Sequence, residues 1–96
     1  METLTVVWHK KARAALHKQA MWYLFNCSQS YVDTFITNVE NAVLAASRTP
    51  TIGRYKKISS NKTYRELLTH PKSKIVYWYD YKEIHILNIV FSDTNY

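Results

Sequence analysis

A chain of 96 residues with 47% hydrophobic, 15% aromatic and 21% charged residues is expected to form one globular domain over 1–96. One glycine and two prolines exclude a linker-rich or disordered chain, and a single cysteine, Cys27, excludes an internal disulfide and an all-cysteine metal site. No apolar run approaches the roughly 20 residues of a membrane span, and Met1–His9 is too short and polar for a signal peptide, so a soluble cytoplasmic protein is expected.

Thr3–Trp8 (TLTVVW) is β-branched and apolar and reads as a short strand. From His9 the period changes. Ala12, Ala15, Leu16, Gln19 or Ala20, Tyr23 and Leu24 recur at helical spacing, with Lys10, Lys11, Arg13 and Lys18 between them as a solvated face. This helix is expected to end near Phe25. Asn26-Cys27-Ser28 breaks the pattern, and Ser28 or Ser30 suits an N-cap. Val32, Phe35, Ile36, Val39, Val43 and Ala46 then form the cleanest helical stripe in the chain. Two amphipathic helices with so short a break imply an antiparallel αα-hairpin.

Thr49–Gly53 is a loop with both strong breakers, Pro50 and Gly53. A basic stretch follows to Lys62, partly extended at Tyr55–Ile58. Three strands are expected at Thr63–Thr69, Lys74–Tyr79 and Glu83–Phe91, joined by hairpin-length loops. The last strand has apolar residues on both alternating faces, so it is expected to be central and covered on both sides. The order is β-α-α-β-β-β, with the αα-hairpin packed on a small antiparallel sheet that the first strand must join.

The net charge of +6 is unevenly placed. Arg54, Lys56, Lys57, Lys62, Arg65, Lys72 and Lys74 face one acid, Glu66, within 21 residues. That window holds the whole net charge, because the other six basic and six acidic residues cancel. It is either a solubilising face or a footprint for an anionic partner. Aromatic residues interleave with it. Tyr77 and Tyr79 read as packing residues or as stacking partners for splayed bases, and Trp78 as core or semi-core. Arg65 and Lys74, on consecutive strands, are expected to share one surface. His70, in a basic turn, is either a proton acceptor or a loop histidine. Asp80 and Glu83 shape a turn. Cys27 reads as a buried or inert thiol. The four histidines show no metal-ligand spacing, and no Gly-rich phosphate loop is present.

Three stretches stand in a recognisable order: Pro50-Thr51-Ile52-Gly53, TYRELLTHPKSKIVYWYD (Thr63–Asp80) and IHILNIVFSDT (Ile84–Thr94). They resemble the RelE/ParE superfamily of toxins from bacterial toxin–antitoxin modules, which includes plasmid stabilisation proteins. The likeness covers nearly the whole chain. It implies a toxin neutralised by a cognate antitoxin that lays a segment over the toxin's surface, with no small-molecule cofactor. RelE-like members cleave messenger RNA on the ribosome; ParE-like members poison DNA gyrase instead. In the RNA-cleaving case the 2′-hydroxyl is the nucleophile, so the site must mainly stabilise charge. The resemblance then makes Arg65 and Lys74 the phosphate-holding residues, assisted by His70 and by the final Tyr96. Arg54, Lys56, Lys57, Lys62, Lys72, Tyr77 and Tyr79 become the surface for target or antitoxin. Leu67 stands where a further basic residue is expected, and Asp93 lies where an arginine is common. Outside the resemblance, a simple single-stranded nucleic acid binder fits the same residues.

Overall fold

Thr5–Trp8 forms β1, and Lys10–Asn26 and Gln29–Arg48 form helices α1 and α2. A 3-10 turn at Pro50–Ile52 leads into β2 (Arg54–Ser59), β3 (Lys62–His70), β4 (Ser73–Tyr79) and β5 (Glu83–Phe91). This computed structural model describes residues 3–70 and 73–91, except for the His70 side chain. The five strands lie in the order β1-β5-β4-β3-β2. β1 runs parallel to β5, and the other pairs are antiparallel. The α+β architecture with an αα-hairpin on a sheet is the expected one.

The sheet gains a strand over the three expected in the second half. The basic stretch after Gly53 is extended throughout Arg54–Ser59 because Ser60 and Asn61 close a two-residue hairpin onto β3. Both take positive φ, 52° and 65°, as a primed hairpin turn requires. Without glycine, that turn leaves little trace in the sequence.

Helix α2 buries Val32, Phe35, Val39, Val43 and Ala46 of its predicted stripe, while Ile36 is half-buried against the core. Its N-cap is Ser28, whose Oγ accepts from Tyr31 N at 3.1 Å. Helix α1 buries only Ala12 and Tyr23. Both helices lie on one face of the sheet, α1 over β5 and α2 over β3. Between the layers, Phe35 and Val39 meet Ile75, Tyr77, Ile84 and Ile86, all completely buried.

Strand β5 is interior, flanked by β1 and β4, but the helices cover one of its faces, not two. The sequence alternation misleads because of a bulge. Tyr77 pairs with Ile86 and Val76 with Asn88, so Leu87 is an extra residue. The alternation therefore shifts by one, and Ile84, Ile86 and Ile89 all reach the helix side. Cys27 is exposed at the end of α1 and is not a buried thiol, because the turn between the helices holds it outside the core.

Candidate nucleic-acid interface

Register decides which side chains share a surface. Arg65 pairs with Tyr77 and Leu67 with Ile75, and these four point to the helix side. Tyr64 pairs with Trp78, Glu66 with Val76 and Leu68 with Lys74, and these occupy the opposite, open face. Across β2 the same face receives Arg54, opposite Glu66, and Lys57, opposite Tyr64. Across β5 it receives His85, opposite Trp78. Arg65 and Lys74 thus lie on opposite faces of the sheet and do not share a surface. Their strands are adjacent, but the hairpin register puts them out of phase.

Rings and cations stand side by side across the open face. Lys57 Nζ lies over Tyr64 at 5.5 Å from the ring centroid, and Lys62 Nζ over Trp78 at 4.6 Å. Trp78 stacks on His85 with centroids 4.2 Å apart and planes 4° apart. His85 meets His9 edge-on at 5.2 Å. Lys62 approaches Trp78 from β3 and His85 approaches it from β5. A base can stack on the indole once the flexible lysine swings aside.

Glu66 is the one acid inside the basic window, and it organises its neighbours. Its Oε1 accepts from Lys74 Nζ at 3.0 Å and its Oε2 from Lys56 Nζ at 3.2 Å. Burial pushes the Glu66 carboxyl up, but the hydrogen bonds and charges of Lys74 and Lys56 outweigh it. The carboxyl is held below its ordinary value. A cleft of about 250 Å³ opens beside it, lined by Ile52, Arg54, Glu66, Leu67, Leu68 and Lys74.

Tyr77 does not belong to this surface. It is completely buried, and its hydroxyl accepts from Gly53 N at 2.9 Å and donates to Pro50 O at 2.6 Å. Burial pushes its phenol up, more than the Gly53 hydrogen bond and the Arg65 charge lower it. Tyr79 lies on the same side, partly buried against the core. Arg65 Nη1 donates to Gly53 O at 2.9 Å and lies 3.5 Å from Thr51 O, so the guanidinium holds the Pro50–Gly53 loop from beneath. An expected stacking residue and an expected phosphate ligand thus both anchor a loop.

Trp78 is half-buried on the open face, while Arg54, Lys56 and Lys57 are exposed there. Lys72, Tyr96 and the His70 side chain lie outside the described residues. Two open-face residues had no sequence signal, His9 and His85. They are 76 positions apart and come together through the parallel β1–β5 pairing. His85 comes to lie opposite Trp78 only through the strand register. Asp80, Glu83 and His85 bring ligand atoms within 4.8 Å of one another. Asp80 Oδ1 already accepts from the amides of Lys82 and Glu83 at 2.8 and 2.7 Å, so the turn accounts for this cluster and it carries no metal assignment. On the helix side, an apolar groove of about 640 Å³ opens between β1 and the helices, lined by Trp8, Leu16, Ile36 and Leu44 with Arg13 and Glu40.

Neither a family model nor a curated relative matches this sequence. Among solved structures, the fold resembles that of YoeB. The likeness is to the YoeB dimer from Staphylococcus aureus, with a TM-score of 0.58 over 99% of this chain and 100% of that one. Sequence identity with YoeB is 17%, so the likeness is one of fold.

Proposed function

We propose that this chain is the toxin of a bacterial toxin–antitoxin pair and that it acts on messenger RNA at the ribosome. The observation that carries the reading is the array on the open face, where Lys57 over Tyr64 and Lys62 over Trp78 set cations against aromatic rings. Single-stranded RNA needs both, cations for its phosphates and rings for its bases. The RelE/ParE resemblance and the fold likeness to YoeB support the toxin assignment. No helix among the described residues is long and apolar enough to cross a membrane.

In this reading Lys57, Lys62, Lys56 and Arg54 hold the RNA backbone, and Trp78 receives a base. Lys74 sets Glu66 in place and adds positive charge. Arg65 acts through the Pro50–Gly53 loop, not on the phosphate. The cognate antitoxin presents an acidic segment to the Arg54–Lys74 window, which covers the RNA surface and speeds association.

The test is purified protein added to translating bacterial ribosomes with an end-labelled message. Cleavage that weakens in Lys57→Ala and Lys62→Ala is the expected result. An intact message in the presence of a protein that still arrests growth overturns the reading in favour of a protein target such as gyrase. Co-expression with the neighbouring small reading frame checks the antitoxin separately, by restored growth and co-purification.

A further inference from the structure

His9 and His85 meet at 3.0 Å, His9 Nε2 to His85 Nδ1. On the other side of the same ring, His85 Nε2 lies 3.4 Å from Glu83 Oε1. The indole of Trp78 stacks flat on that imidazole and sets its plane. Together these contacts favour one arrangement of protons. A carboxylate accepts and cannot donate, so Glu83 favours the hydrogen on His85 Nε2. His85 Nδ1 is then bare and accepts from His9 Nε2. A neutral His9 with its hydrogen on Nε2 has a bare Nδ1. That atom has no hydrogen-bond partner among the described residues, and the ring is partly exposed.

His9 also sits at a junction. It directly follows β1 and is the N-cap residue of α1, yet its side chain makes no capping bond and turns to His85 instead. Lys10 and Lys11 are exposed in the first turn of α1, which carries no acid. The charged groups around the pair are Glu83, Asp80 and Lys82 from the β4–β5 turn, with Lys62 beyond Trp78. A strand of RNA laid across the rings from Tyr64 toward β1 would bring its backbone to His9.

We infer that His9 Nδ1 is the proton acceptor for RNA cleavage, and that His85 and Glu83 are positioning residues that hold it in the right tautomer. The inference rests on the RNA-directed reading above. His9 Nδ1 takes the proton of a ribose 2′-hydroxyl. The 2′-oxygen bonds to the adjacent phosphorus, and the bond from that phosphorus to the next nucleotide's 5′-oxygen breaks. The leaving oxygen takes a proton from water, and the hydroxide so formed recovers the proton from His9. The ends are a 2′,3′-cyclic phosphate and a 5′-hydroxyl, and nothing is oxidised or reduced.

The experiment follows a 5′-labelled message in a bacterial translation reaction assembled from purified components. His9→Gln keeps an amide N–H to face His85 but has no bare ring nitrogen. Its cleavage rate should fall by about 10²–10⁴-fold, the usual range for a lost general base, with RNA affinity and melting temperature unchanged. His9→Ala should fall as far and recover when imidazole is added, which a purely structural loss would not do. Glu83→Gln should lower kcat and leave KM in place. Full-rate cleavage by His9→Gln, or no imidazole rescue of His9→Ala, overturns the His9 assignment and leaves the RNA reading standing. A message left intact by the wild-type protein overturns both.

Discussion

Gly53 and Tyr77 lock together: the Tyr77 hydroxyl, 24 residues away in sequence, accepts the Gly53 amide hydrogen at 2.9 Å inside the core. Gly53 has φ −73° and ψ 153°, which any residue adopts, so the glycine is not there for its backbone freedom. It is there for space. A Cβ at this position would overlap the Tyr77 hydroxyl and lie 2.9 Å from ring carbons Cε1 and Cζ. The Pro50–Gly53 loop is thereby pinned to the middle strand of the sheet, and β2 starts from a fixed point.

Gly53→Ala should destabilise the protein by about 1–3 kcal/mol through overpacking. Tyr77→Phe should cost a similar amount, about 1–3 kcal/mol, because it leaves Gly53 N and Pro50 O unpaired. Since the two residues touch, the costs should not add, and Gly53→Ala should be milder in the Tyr77→Phe background. Urea unfolding of the four proteins in the cycle measures the coupling. Simple additivity would mean that the loop is not held by this contact.

Arg65→Ala should act on stability before it acts on RNA. The guanidinium hydrogen bond to Gly53 O is charge-assisted, and losing it should cost about 1.5–3 kcal/mol. The salt dependence of RNA binding should stay close to wild type. A large drop in the salt slope with unchanged stability would return Arg65 to the phosphate-holding role.

Lys57→Ala and Lys62→Ala should each reduce the slope of log affinity against log salt for single-stranded RNA by about 0.7, one phosphate contact apiece. Trp78→Ala should weaken binding with the slope nearly intact, by about 1–3 kcal/mol for a lost base stack. Filter binding or fluorescence anisotropy at several salt concentrations separates the two effects.

Acid should remove the contribution of Glu66. Its folded carboxyl titrates below the ordinary value of 4.5, so the stabilisation is complete above that pH and is lost as pH falls through the folded value. Wild type and Glu66→Gln should therefore differ in stability at neutral pH and converge in acid. Tyr77 acts at the other end. Its phenol is raised from 10.0, so its contribution is full below pH 10 and fades as pH rises through the folded value. Melting temperatures across pH, with Glu66→Gln and Tyr77→Phe as references, check both signs.

Features that depend only on neighbours along the chain were legible before folding. The stripe Val32, Phe35, Val39, Val43 and Ala46 specifies a helix and its buried face, because a 3.6-residue period needs no partner to be read. A serine cap at Ser28 or Ser30 and the β4 and β5 spans were legible for the same local reason, and the structure chose Ser28. The basic window between Arg54 and Lys74 was visible as plain composition. The tertiary structure alone decided which residues share a face. Arg65 and Lys74 fall on opposite sides because a one-residue change of register exchanges the faces of a strand. The bulge at Leu87 does the same to the end of β5. His9 reaches His85 only through the parallel β1–β5 pairing, a contact that closes after 76 residues and leaves no periodic mark in the sequence.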